Sequence, residues 1–263
     1  MASQLAALVG THLRDRRRSL LAWGVPLGLM SAFIVAIFPS VEDALSQAIS
    51  DYPPALKEAF GIGQLSNVEQ YLYAEMLSLI VPLALGYLAV RAVASGLAGA
   101  AESGRLDVLL SAPVSRHRLC AAGFLASAVE LAAVLAITGL LTGVGSLLAG
   151  AGLSASSALA GFANVWPLAL FFAGLGIVLC AFSLRTTVVT GAVAGVLVAM
   201  YVIDLVGRLD PGLDWVRYAS VFKYYGNAVE DGIDPLAFIG VTLAAVALAA
   251  LGAALFDRRD VSA

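Results

Sequence analysis

Charge is scarce in this sequence of 263 residues. Only 13% of the residues are charged, whereas 60% are hydrophobic, and the mean hydropathy is +0.92. Soluble domains are usually about one quarter charged. The composition therefore excludes an ordinary water-soluble domain and points to a membrane protein.

Lysine is nearly absent, because the chain contains only Lys57 and Lys223. Neither lysine follows a glycine, so the phosphate-binding motif G-x-x-x-x-G-K-[ST] is missing. We therefore expect that this chain is not itself a P-loop ATPase.

Histidine and cysteine are equally rare. The two histidines, His12 and His117, lie outside the apolar stretches, and the cysteines, Cys120 and Cys180, have no metal-ligand spacing. We therefore expect no catalytic residue, no metal and no cofactor on this chain, and no enzyme activity of its own.

Six long apolar stretches are present, each close to the roughly 20 residues that a helix needs to cross a bilayer. Segments of alternating polarity, which mark membrane β-barrels, are missing. The predicted fold class is all-α: one polytopic transmembrane domain over residues 1–263. Its predicted spans are residues 20–38, 72–94, 119–148, 158–182, 188–206 and 235–256.

The basic residues indicate the orientation of the spans. Eleven of the fifteen lie before the first span, at the end of the second span, in the connections after the second and fourth spans, or after the last one. Because basic residues favour the cytoplasmic side, we expect both termini in the cytoplasm. Residues 1–18, with Leu5, Leu8 and Val9 on one face, are predicted to form an amphipathic helix at the membrane surface.

Two acidic residues fall within predicted spans. Glu130 lies in the third span and Asp204 near the outer end of the fifth, four residues before Arg208. Ionisable groups at such depth need a partner or a wet cavity. The sequence leaves two interpretations open: a neutral, hydrogen-bonded Glu130 and an interfacial Asp204, or a role in binding an ion or a substrate.

Glycine pairs spaced four residues apart occur in three predicted spans. Such pairs let helix backbones approach closely, either within a subunit or between subunits, and the sequence does not distinguish the two. The pairs are Gly24 with Gly28, Gly139 with Gly143, and Gly191 with Gly195.

The connection at residues 102–118, ESGRLDVLLSAPVSRHR, interrupts the apolar pattern with a short amphipathic helix. Leu106, Leu109 and Leu110 recur at helical spacing, and Pro113 ends the helix before the third span. Such a helix either docks on a cytosolic partner or lies in the lipid headgroups.

This connection resembles that of the ABC-2 type permeases, which are membrane subunits of ABC exporters. Their pattern is Glu, then Gly-x-Leu-acid, Leu-Leu and Pro-x-Ser-Arg. Arg105 and Gly123 stand where the family often has threonine and lysine. The matching residues are Glu102, Gly104, Leu106, Asp107, Leu109, Leu110, Pro113, Ser115 and Arg116.

The resemblance implies that a cytosolic P-loop ATPase binds ATP and Mg²⁺ and moves this chain through the 102–118 loop. Glu102, Arg105 and Asp107 would make polar contacts to the ATPase, while the three leucines fill a groove on it. Pro113 and Arg116 would set the angle of re-entry into the membrane. A second permease, identical or related, would complete the pathway as a dimer.

The expected role is therefore export of a small apolar or amphipathic substrate across a bacterial plasma membrane, with no nucleic-acid partner. Two alternatives stay open. One is an ion-coupled secondary carrier that uses Glu130, and the other is a membrane scaffold or immunity protein that transports nothing.

Overall fold

The computed structural model describes residues 10, 17–50, 53, 67–104 and 115–258. Within these ranges the ordered elements are all helical. Six helices are long and apolar enough to cross a membrane, which confirms the predicted class of polytopic α-helical protein. Most of the predicted interfacial helix and residues 105–114 of the loop lie outside the described residues.

The six long helices are numbered here in chain order. They are α1, Arg17–Ser50; α2, Ile80–Glu102; α3, Arg116–Ala149; α4, Ala155–Cys180; α5, Thr186–Leu209; and α6, Pro235–Asp257. Two 3-10 helices, Pro211–Ala219 and Val221–Tyr224, lie between α5 and α6.

The first helix is longer than the predicted span at residues 20–38. Its membrane-length part is Arg18–Glu42, and the helix then continues to Ser50. Apolarity shows where a helix can cross lipid, not where its backbone hydrogen bonds stop. Residues 40–50 contain alanine, leucine, glutamate and glutamine, which favour a helix, so it continues past Pro39.

The second span begins at Ile80 rather than at the predicted residue 72. The chain before it forms a short helix, Val68–Leu72, and a π-helical turn, Tyr73–Leu77. The amide of Ser78 donates to the carbonyl of Tyr73, five residues back, at 2.7 Å. Pro82 lies in the first turn of α2, where its missing N–H costs little, so the new helix can begin there.

Local sequence explains several helix ends. Ser115, Ser154 and Asp234 each accept a backbone N–H at the start of α3, α4 and α6. Helix α3 ends at Gly150, which has a φ of +65° that favours glycine. Arg185, before α5, gives no side-chain cap of this kind.

Helix α4 is the centre of the bundle, since it packs against α2, α3, α5 and α6. Helix α1 packs mainly on α3, and α5 packs mainly on α2. One end of the bundle carries Arg116, Arg118, Arg185 and Arg258, and we call this end the basic face. The end of α5 with its following 3-10 helices lies at the opposite face.

Close contact between α4 and α6 depends on glycine. A Cβ atom added at Gly252 would lie 2.6 Å from the backbone nitrogen of Val178, and one at Gly174 would lie 2.6 Å from the carbonyl oxygen of Ala245. Backbone atoms cannot move aside as side-chain ends can. These two positions therefore set the distance between the helices.

Gly252→Ala should destabilise the protein by about 1–3 kcal/mol, the usual cost of overpacking. The measurement is thermal unfolding of the purified protein in mild detergent. Gly240→Ala, in the same helix, is the matched control because an added Cβ there meets nothing within 4 Å. Equal melting temperatures for the two variants would show that α4 and α6 do not approach as described.

Candidate functional site

The loop that carries the family pattern is described only at its two ends. Glu102 and Gly104 lie at the end of α2, and Arg116 begins α3. The other predicted partner-binding residues lie outside the described residues, so their role stays a prediction. They are Arg105, Leu106, Asp107, Leu109, Leu110 and Pro113.

Glu102 binds the start of helix α5. One carboxylate oxygen accepts the backbone N–H of Thr186 at 2.9 Å, and the other accepts the Thr186 hydroxyl at 2.8 Å. Thr186 is the first residue of α5, where backbone N–H groups have no partner within the helix and a negative charge is favourable. Glu102 thus supplies from α2 the cap that Arg185 does not give.

The end of α2 is shaped to make this contact. Gly99 faces the start of α5, since a Cβ there would lie 3.4 Å from the Thr186 hydroxyl oxygen. Gly104 has a φ of +68°, a conformation that favours glycine, and it turns the chain away from the helix into the loop.

The other end of the loop binds helix α6. The Nη1 atom of Arg116 lies 3.5 Å from the carbonyl oxygen of Phe256 and 3.4 Å from that of Asp257. His117 Nε2 lies 3.4 Å from Asp257 Oδ2. A cation is favourable beside the last carbonyls of a helix. The loop is therefore attached to α5 at one end and to α6 at the other.

Asp204 lies in an ionic cluster near the opposite face. Its side chain is 3% exposed, and its two oxygens lie 2.5 Å from Arg208 Nη2 and 2.9 Å from Arg217 Nε. Arg208 is one helical turn away, whereas Arg217 returns from the following 3-10 helix. The carboxylate therefore joins α5 to the segment after it.

The cluster continues outward through Asp214. Arg217 Nη1 donates to Asp214 at 2.8 Å, and Lys223 lies 3.6 Å from the same carboxylate. The hydrogen bond from Arg217 and the charge of Lys223 hold the pKa of Asp214 below its ordinary value. The Lys223 ammonium also lies 3.9 Å from the centre of the Tyr218 ring.

Glu130 is buried within the bundle, at 1% exposure on α3. Two residues before it in α3, the backbone carbonyl of Ala128 accepts the indole N–H of Trp166 of α4 at 2.9 Å. Among the described residues, no group of three histidine, cysteine or acidic side chains could hold a metal ion.

An apolar cavity of about 560 Å³ lies between α4, α5, the 3-10 helices and α6. Its walls include Phe171, Met200, Tyr218, Leu236 and Val241. A second, more polar cavity of about 520 Å³ is lined by the basic residues of the ionic cluster and by Tyr73. The first cavity has the size and apolar lining of a small-molecule site.

Sequence reasoning missed the partners of these residues. Thr186 lies 84 positions from Glu102, and Phe256 lies 140 positions from Arg116. The one available sign was the absence of a capping side chain before α5, where Arg185 stands instead of serine, threonine or aspartate.

Comparison with known families gives one match that covers nearly the whole chain. A family model described as "Multidrug efflux system permease Rv1217c, C-terminal domain" matches residues 5–257. No curated protein matches the chain significantly.

Proposed function

Since the chain belongs to the family of the multidrug efflux permease Rv1217c C-terminal domain, we propose that it is the permease of an ATP-driven ABC-2 type exporter. Membership of an efflux permease family and six membrane-length helices make it a multi-pass transporter component rather than an enzyme. The family match over residues 5–257 is the observation that carries the proposal.

The energy source in this proposal is a separate cytosolic P-loop ATPase, which binds ATP and Mg²⁺. The sequence has no P-loop, so a permease driven by ATP needs such a partner. The ATPase docks on the 102–118 loop, with Leu106, Leu109 and Leu110 in its groove. The basic face then lies in the cytoplasm of a bacterial cell, as the distribution of arginines favours.

The proposal includes a second permease domain, identical or related. Two of the three glycine pairs pack against other helices of this chain. A Cβ at Gly28 would meet Leu141, and one at Gly139 would meet Leu159. Added Cβ atoms at Gly191 and Gly195 would meet nothing within 4 Å. Since no described residue contacts this face of α5 at these two glycines, it is a suitable surface for a partner helix, which supports a pathway formed between two domains.

The proposed substrate class is small apolar or amphipathic molecules. The family description names multidrug efflux. The apolar cavity between α5 and α6 supports this class, because its aromatic and aliphatic walls offer contact area and few directional hydrogen bonds.

An ion-coupled carrier that uses Glu130 is the competing function, and the burial of Glu130 is the observation in its favour. Glu130→Gln tests it, because glutamine keeps the size and hydrogen-bonding capacity of the side chain but cannot ionise. In the exporter, resistance of cells to a panel of amphipathic drugs should stay within about twofold of the wild type, a change of ~0.4 kcal/mol.

Loss of resistance in Glu130→Gln, at an unchanged amount of protein in the membrane, would favour the carrier. Resistance in neither the wild type nor the variant would favour the non-transporting scaffold. A protonophore added to ATP-supplied membrane vesicles gives the second readout, since it stops a proton-coupled carrier and leaves ATP-driven efflux intact.

A further inference from the structure

We infer that Glu102 is a positioning residue that connects the 102–118 loop to helix α5, rather than only a contact for the ATPase. The inference rests on the proposed function, because it states how the loop of such a permease moves the membrane helices. The inference is based on the two hydrogen bonds that Thr186 donates to the two oxygens of the Glu102 carboxylate.

The two bonds differ in what they fix. The bond from the Thr186 backbone N–H holds the first turn of α5, and the bond from the hydroxyl fixes the rotation of the carboxylate. Two bonds to one planar group define a direction as well as a distance. If the end of α2 is displaced, the start of α5 therefore moves with it.

Because of its position in the chain, Glu102 attaches helix α5 to the loop. Glu102 is both the last residue of α2 and the first residue of the 102–118 loop, and the turn at Gly104 follows two residues later. Any force on the loop acts directly on this carboxylate. A cap supplied by a neighbour of Thr186 in sequence would stabilise α5 equally well but would not attach it to the loop.

The second end of the loop also contacts a membrane-length helix. Arg116 and His117 contact the last residues of α6, so the loop holds α5 and α6 at the basic face. Near the opposite face the same two helices line the apolar cavity through Met200 and Val241. A helix of 24 residues is about 36 Å long and transmits a tilt along its length. Movement of the loop thus reaches the cavity walls.

The test is hydrogen exchange of the permease with its bound ATPase in lipid nanodiscs, with and without ATP. In the wild type, ATP should change exchange both in the loop and at the start of α5, residues 186–190. Thr186→Val should keep the response of the loop and lose at least half of the response of α5. Thr186→Ser, which restores the hydroxyl, should respond as the wild type does.

Thr190→Val is the matched control, since it makes the same chemical change one turn further along α5. The Thr190 hydroxyl oxygen has no hydrogen-bond partner among the described residues. If Glu102 were only a helix cap, Thr186→Val would raise exchange equally with and without ATP, and the ATP-dependent difference would remain.

An undiminished response of α5 in Thr186→Val, with the ATPase still bound, would overturn the inference and leave the proposed function standing. The same holds if α5 of the wild type does not respond to ATP although the ATPase is bound. Failure of any ATPase to bind the wild type would overturn the proposed function itself, and this inference with it.

Discussion

Asp204→Asn should lower the stability of the protein by about 3 kcal/mol. The substitution keeps the shape of the side chain but leaves Arg208 and Arg217 without their shared negative charge. Removal of one partner from a buried ion pair costs roughly 3–5 kcal/mol because the other charge stays buried. The lower value applies since the two arginine side chains are 21% and 22% exposed.

Thermal unfolding in detergent measures this effect. A loss of about 3 kcal/mol corresponds to a fall in melting temperature of roughly 6–12 °C for a chain of this size. Asp231→Asn is the control, because Asp231 is an exposed acid in the connection that follows the 3-10 helices. Asp204→Asn combined with Arg208→Gln should be more stable than the sum of the two single changes predicts.

If Asp204→Asn melts at the same temperature as Asp231→Asn, the cluster does not hold α5 to the segment after it. If instead Asp204→Asn stays stable but abolishes efflux, Asp204 belongs to the transport pathway. The second result would favour the functional interpretation that the sequence left open for this residue.

Leu110→Asp should abolish binding of the ATPase, with at least a tenfold loss of co-purified partner, or about 1.4 kcal/mol. Leu110 lies on the apolar face of the predicted loop helix, and the proposed groove would have to bury the new carboxylate without a partner. The measurement is the amount of ATPase retained by tagged permease in mild detergent.

Ser111→Asp is the control, because it places the same charge at the next position, off the leucine face. It should retain the ATPase, and both variants should be present in the membrane in equal amount. Retention of the ATPase by Leu110→Asp would mean that another surface forms the contact.

The sequence alone predicts the spans well because crossing a bilayer requires a run of apolar residues. It places the start of the second span eight residues early, since the apolar run includes Leu72 and hydropathy does not register the π-helical turn before Ile80. It also ends the first span at residue 38, whereas the helix continues past Pro39. Hydropathy reports the solvent that a segment prefers, not the hydrogen bonds of its backbone.

The sequence predicts few contacts of the candidate site, because most of them join residues that only the fold brings together. Arg208 next to Asp204 follows from their spacing of four residues in a helix, but Arg217 is brought in only by the 3-10 turn. The Glu102 contact with Thr186 depends on the packing of α2 against α5, which no local pattern encodes. Likewise, three glycine pairs look alike in sequence, and only the structure separates those already packed from the pair left open.

We propose that this chain is the membrane half of an ATP-driven exporter. The decisive experiment is purification of the tagged wild-type chain from its native membrane in mild detergent, followed by quantitative mass spectrometry. We predict one P-loop ATPase for each permease domain, in an assembly with two of each. Recovery of the permease with no P-loop ATPase, under conditions that keep it folded, would contradict the claim and favour a secondary carrier or a scaffold.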